Sequence, residues 1–201
     1  MSPRPDVSEE RKNQILAAAS AVFARSGFHE ARMDDIAQEV GLSKGALYLY
    51  YKSKDAIIVA LLKFFFDQEM NQLRAMLQKR QQKSVRAQLM IMNHMLAEGM
   101  KWMSNLMPVA FEFYAIMARR KEVRLFLKDY FKEYRELLAS LIQRGIDQGE
   151  FQPTVDAESL AIAITALYEG LALLWMVDPQ AAQWEQVGKQ SLTMLLDGIK
   201  A

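Results

Sequence analysis

The residue types available to this chain favour binding over bond-making. Between Gly41 and Lys54 the sequence places Lys44, Lys52 and Lys54 without a single acid and sets Tyr48 and Tyr50 among them. Ammonium groups pair with phosphates or with the acceptor edge of guanine, while phenols donate to phosphate or touch a thymine methyl. Ser53 and Lys54 would open the following helix, so backbone N–H groups, helix dipole and ammonium could converge on one phosphate. Ordinary solvated surface would account for any such cluster taken alone. Catalytic constellations are poorly supplied. The two histidines, His29 and His94, lack the glutamate three residues earlier that carboxylate metal sites on helical bundles use. With no cysteine, no Gly-rich phosphate loop and no nucleophile elbow, an enzyme is disfavoured, and neither a cofactor nor a metal is expected.

A chain of 201 residues, 51% of them hydrophobic, can bury a substantial core. Its net charge of +1 makes no global electrostatic case for nucleic acid, so that case rests on the local lysines. The lack of cysteine fits a reducing compartment. No apolar leader region follows Met1–Pro5, and no run approaches the roughly 20 uncharged apolar residues of a membrane span, so a cytoplasmic location with no membrane partner is expected.

The elements that must position these side chains are helices. Apolar residues recur with a period near 3.6 in nearly every segment and never alternate as in a half-buried strand, which predicts an all-α fold of about nine helices. The first helix starts near Ser8, turns Ile15, Ala19, Val22 and Phe23 inward and stops at Gly27, with Phe28 packing behind the stop. Two short helices, over about 33–40 and 44–51, flank the turn Gly41-Leu42-Ser43. In that turn Gly41 supplies a positive φ, Leu42 points inward and Ser43 caps the next helix. Further helices are read over about 54–80, 84–103, 106–119, 121–148, 157–177 and 181–199. Positions four apart share a helix face, so Leu47 and Tyr51 pack on Ile36, Ala37, Val40 and Leu42. Lys44, Gly45, Ala46, Tyr48 and Tyr50 are left facing outward.

The string from Gly27 to Lys54, GFHEARMDDIAQEVGLSKGALYLYYKSK, closely resembles the DNA-binding domain of the TetR family of bacterial regulators. The resemblance covers roughly residues 8–60, and the rest of the chain is similar to the family only in its helix pattern. It implies a three-helix helix-turn-helix DNA-binding domain over 1–54 and a helical-bundle ligand-binding and dimerisation domain over 55–201. It also implies DNA contacts from Ser43, Lys44, Gly45, Tyr48 and Tyr50, with Lys54 on the phosphate backbone; Ala46 and Lys52 complete that surface. The family's threonines before the second helix are Ala31-Arg32 here, so Arg32, with Met33 beside it, is expected to replace the hydroxyl's phosphate contact by a charge-assisted one. Tyr51 stands where the family usually has phenylalanine and is expected to keep the packing role.

Between Phe64 and Trp175 large, soft side chains concentrate, which suits either a methionine-filled core or a pocket able to repack around a small, largely apolar effector. The pocket candidates are Phe66, Met70, Met95, Trp102, Met107, Phe111, Tyr114, Tyr134, Tyr168 and Trp175, with Asn93, His94, Glu98, Glu112 and Glu169 as polar groups nearby. Seams at Leu160, Ile164, Leu167, Leu171 and Leu174, and at Trp184, Val187, Leu195 and Ile199, need a partner. The resemblance implies that a second copy covers them in a four-helix homodimer interface. Two recognition helices about 34 Å apart would then meet successive major grooves of a palindromic operator. The expected function is a repressor released from that operator by its effector, with the helix from Lys54 as the mechanical link. The alternative is an all-helical ligand- or protein-binding module that does not bind DNA.

Overall fold

A computed structural model describes residues 7–80, 84–103 and 115–201. Among them are nine helices and no strand: α1 (Val7–Glu30), α2 (Met33–Val40), α3 (Lys44–Tyr50), α4 (Lys54–Lys79), α5 (Val85–Met103), α6 (115–119), α7 (Lys121–Asp147), α8 (Ala157–Val177) and α9 (Trp184–Gly198). The cap expected of Ser8 lies outside the described side chains. The chain forms two compact units: the first over the described parts of 7–67 and 115–126, the second over 68–80, 84–103 and 127–201. Both α4 and α7 contribute residues to each unit.

In the first unit the apolar stripe of α1 is fully enclosed. Ile15, Ala19, Val22 and Phe23 have no exposed surface, and neither do Ile36 of α2, Leu47 of α3, or Ile57 and Ile58 of α4. Each such side chain contributes roughly 1.5–3 kcal/mol by leaving water, so these few residues carry much of the drive that assembles four helices. Gly27 acts as a kink and not as the stop expected of it. Its φ of 74° and ψ of 162° interrupt the helix, which then makes one more turn to Glu30. Phe28 holds that last turn inward, with its ring edge-on to Phe23 at 5.5 Å. Arg120, just before α7, donates to Asp55 in the first turn of α4 at 2.7 Å.

In the second unit the end of α7 anchors the start of α5. Glu150 accepts the N–H groups of Val85 at 2.8 Å and Arg86 at 3.2 Å, so a carboxylate from a distant segment caps the helix and favours its positive end. Gly149 makes this possible by closing α7 at a φ of 72°. Phe151 follows, buried, and forms an isolated antiparallel bridge with Lys200. Asp156 caps α8 by accepting the Ser159 N–H at 2.6 Å.

Along α8 the burial differs from the expected seam. Ile164 and Leu171 face the core of their own chain, whereas Ile162, Leu173, Leu174 and Val177 are exposed. Leu160 and Leu167 are half-buried, as are Trp184, Val187, Leu195 and Ile199 around α9. The reason is that α8 is apolar nearly all round, so periodicity alone could not tell which side the rest of the chain covers. By length and composition α8 could also cross a membrane, with a mean hydropathy of 1.9 over its most apolar stretch. Glu158 and Glu169 lie within it, so the run is not an uncharged one, but they do not lower its average enough to distinguish it by composition.

Gly145 shows how tightly the α7 terminus is packed. A Cβ built there would lie 2.5 Å from the Phe151 ring, with Val85 at 3.2 Å on the other side. Gly145→Ala should therefore lower stability by about 1–3 kcal/mol, read as a fall in the denaturant midpoint. An unchanged midpoint would show that the ring can move aside freely.

Candidate nucleic-acid interface and ligand cavity

The turn between α2 and α3 sets the orientation of everything on α3. Gly41 adopts φ 68°, and the N–H groups of Gly41 and Leu42 close on the carbonyls of Gln38 (3.2 Å) and Ala37 (2.8 Å). The Ser43 hydroxyl then accepts the Ala46 N–H at 3.2 Å and starts α3. With Leu47 and Tyr51 buried beneath, Ser43, Lys44 and Gly45 are exposed, and Ala46, Tyr48 and Tyr50 are half-buried at the surface. Leu49 is 78% exposed and was not among the residues expected at this surface. An apolar side chain at a solvent-facing position of so short a helix was the signal available for it.

Tertiary neighbours change the electrostatics that the linear sequence suggests. Lys44 has no acid near it along its own stretch, yet Asp34 of α2 accepts from its ammonium at 2.9 Å. That hydrogen bond, reinforced by the charge of Asp34, raises the Lys44 pKa. Lys52 folds back onto the Tyr48 carbonyl at 2.8 Å. Lys54 donates to the carbonyls of Phe28 (2.7 Å) and His29 (2.9 Å) and sits over the Phe28 ring. It thereby ties the C-terminus of α1 to the N-terminus of α4, where a cation suits the negative end of the α1 dipole. Two of its three N–H groups are spent there, which corrects the expectation of an ammonium free to grip phosphate. Met33 is corrected too, being buried against the unit's core with little surface left to offer. Arg32 is exposed, occupies the N-cap of α2 and makes no ion pair among the described residues. The missing hydroxyl cap is answered from inside the helix: Asp35 accepts the Arg32 N–H at 2.8 Å.

The second unit holds a cavity of 470 Å³ formed by α5, α8, α9 and the loop before α9. Leu96, Ala97, Leu171, Trp175 and Trp184 supply apolar walls; Asn93, Tyr168, Gln183 and Glu185 supply polar ones. Asn93 is buried, and its Oδ1 accepts from the Tyr168 hydroxyl at 3.1 Å. Gly188 lets α9 approach this pair, since a Cβ there would lie 2.7 Å from Asn93 Oδ1. Of the expected pocket residues, Tyr168 and Trp175 line this cavity. Met70 and Tyr134 are buried in the core, Met95 is half-buried elsewhere, and Phe66 packs on Phe65 and Phe126 in the first unit. Met107, Phe111, Tyr114 and the Trp102 side chain lie outside the described residues, as does Glu112. His94 and Glu98 are exposed, and His94 Nδ1 meets Glu185 at 2.9 Å.

The same unit carries two partly desolvated carboxyls, Glu69 half-buried and Glu169 at the surface. Tyr130 donates to Glu69 at 3.0 Å, and its ring stacks on Tyr134. Burial raises the pKa of Tyr130, Tyr134 and Tyr168, and likewise that of Glu69. Glu169 keeps an exposed edge, but surrounding protein desolvates its carboxyl and Glu69 repels its charge, pushing it up to about 7.

Residues 15–61 match the model of bacterial regulatory proteins of the tetR family, and residues 91–181 match that of the tetracyclin repressor-like C-terminal domain. A full-length relative decides the matter: the uncharacterized HTH-type transcriptional regulator YfiR of Bacillus subtilis is 32% identical over 174 residues, covering 85% of this chain and 83% of its own. The chain belongs to the TetR family. It is a helix-turn-helix, DNA-binding transcriptional regulator. Solved TetR-like structures share the fold at lower identity. A Saccharomonospora viridis regulator in complex with choline aligns with a TM-score of 0.79 at 23% identity, over 96% of this chain and 99% of that one. FadR of Bacillus subtilis in complex with stearoyl-CoA aligns at 0.68 and 22%, over 93% and 98%.

The internal role of Lys54 is measurable. Lys54→Met should cost about 1–2 kcal/mol of stability, because two carbonyls at the α1 terminus lose their donor. A variant of unchanged melting temperature with weakened DNA binding would restore the phosphate role. The two carboxyls set a pH dependence. Glu169 ionises near 4.5 when unfolded and near 7 when folded, so between those values the folded chain holds more protons and stability falls as pH rises. Glu169→Gln should flatten that fall in a series of chemical denaturations; an unaltered slope would place the titration elsewhere.

Proposed function

We propose that this regulator is a cytoplasmic repressor that grips a palindromic operator as a homodimer and is released by a small, largely apolar effector. The observation that carries the reading is the α3 surface: Ser43, Lys44, Gly45, Ala46, Tyr48 and Tyr50 presented together over a buried Leu47. Gly45 and Ala46 permit close approach to the groove, Lys44 exchanges Asp34 for phosphate or guanine, and Tyr48 and Tyr50 read or orient. Arg32 and Lys52 lie at the margins as phosphate contacts, Leu49 supplies apolar contact to a base or sugar, and Lys54 holds the domain together behind them.

The exposed face of α8 supports the dimer. Ile162, Leu173, Leu174 and Val177, with Met194 of α9, are between 41% and 68% exposed. A patch of this kind on a soluble regulator calls for a partner, and a two-fold axis lets the same patch cover itself. The seam is therefore drawn through Ile162, Leu173, Leu174 and Val177, with Leu160, Leu167, Trp184, Val187, Leu195 and Ile199 at its edges.

The 470 Å³ cavity falls within the roughly 300–1,000 Å³ of small-molecule sites, and its mixture of apolar walls with a few polar groups suits an effector of largely apolar character. The ligands named for the two solved relatives, choline and stearoyl-CoA, differ so widely that neither selects the effector here. The helix α4 carries the signal, being one 26-residue element with residues in both units. A hundredfold loss of operator affinity requires an effector preference of about 2.7 kcal/mol for the released state.

Two measurements test the reading. Fluorescence anisotropy on duplex DNA should show binding that weakens steeply with salt, and Tyr48→Ala should erode preference for the specific site more than non-specific affinity. No binding to any duplex at low salt would favour the protein-binding alternative. Leu173→Glu should convert the dimer to monomer in sedimentation velocity and weaken operator binding at least tenfold; a persistent dimer would move the interface off this face.

A further inference from the structure

The second unit contains another hollow, sharing no residue with the first. It lies between α4 and α7, has a volume of 230 Å³, and is walled by Leu77, Leu137 and Leu141 together with Arg74 and Arg144. Its two arginines differ in state. Arg74 is satisfied: it pairs with Glu133 and reaches Asn71 at 3.4 Å. Arg144 is not. Its Nε and Nη2 are shut off from solvent, and neither has a hydrogen-bond partner among the described residues. The acids next to it along the chain are engaged elsewhere, Asp147 with Gln143 at 2.9 Å and Glu150 at the start of α5. Desolvated donors of a permanent cation without an acceptor are costly, and native proteins rarely leave them so. Nε and Nη2 also share one edge of the guanidinium plane, the edge that makes two parallel bonds to a carboxylate or phosphate.

We infer that this hollow binds a small anionic amphiphile, a carboxylate or phosphate monoester on a short apolar chain. The head takes the Nε/Nη2 edge of Arg144 beside Arg74, and the chain lies on Leu77, Leu137 and Leu141. The volume, below the roughly 300–1,000 Å³ of drug-sized sites, limits the ligand to a head group and a few carbons. Because the edge is covered in the structure, binding requires the guanidinium to turn towards the hollow as the head enters. Ser140, also in the wall, spends its hydroxyl hydrogen on the Leu137 carbonyl at 3.0 Å, which leaves the two arginines and the Gln78 amide as donors to the head group.

The test uses the full-length protein with butyl phosphate, hexanoate and inorganic phosphate, each against chloride at matched ionic strength, read by thermal shift and titration calorimetry. Butyl phosphate and hexanoate should raise the melting temperature in proportion to their concentration, and inorganic phosphate should bind at least tenfold more weakly than butyl phosphate. Arg144→Met should leave the ligand-free melting temperature unchanged or raise it, since an unpaired buried charge is removed, and should lower affinity at least tenfold. Arg144→Lys keeps the charge without the planar fork and should lose most of the binding too, which covers the case of a poorly folded methionine variant. No rise beyond that of chloride, or equal binding by wild type and either variant, overturns the site. Equal affinity for inorganic and butyl phosphate overturns the amphiphile. These readouts do not involve DNA, so they stand or fall separately from the repressor reading.

Discussion

Leu47 is completely enclosed while Lys44, three positions earlier on the same helix, is exposed, and the usefulness of the molecule depends on that contrast. The contrast is set by a rigid turn. A left-handed Gly41, two backbone hydrogen bonds back to α2 and the Ser43 cap leave α3 little freedom to roll. Burial of Leu47, with α3 packed on α2, then fixes the roll angle, because turning α3 by one residue would expose Leu47 and bring Lys44 towards the core. Such an exchange costs the transfer free energy of a leucine and the desolvation of an ammonium, both of the same sign.

The surrounding polar groups reinforce this geometry more than they advertise a binding site. Lys54 closes the end of α1, Asp35 closes the start of α2, and Asp34 holds Lys44 on the outside of α3. Exposed ion pairs of the Asp34–Lys44 kind are worth little in stability and exchange readily for a phosphate. A pre-positioned but weakly held cation is what a groove-reading surface needs, since binding then pays only a small cost to release it.

In the second unit, the residues that pack the helices also border the cavity. Asn93, Tyr168 and Gly188 hold α5, α8 and α9 close enough to pack, and the space they leave is bounded by two tryptophans. Glu69, half-buried, and Glu169, at the surface, add partly desolvated carboxyls whose raised pKa values make stability fall as pH rises towards neutrality. The face of α8 bearing Ile162, Leu173, Leu174 and Val177 is the contrasting case, an apolar surface that the described residues leave exposed.

Local rules made the helix-turn-helix legible in the sequence alone. A glycine that needs a positive φ, a serine that caps and an apolar residue four positions on all act within a dozen residues, so spacing determines their geometry. The all-helical class and most helix limits were readable for the same reason. What only the tertiary structure decided were contacts between residues distant in the chain: Asp34 opposing Lys44, the α1 carbonyls claiming Lys54, the burial of Met33, and the face of α8 left bare. Period in a helix reports that a stripe exists; which of two apolar sides is covered depends on the packing of the other helices, and no local pattern encodes that.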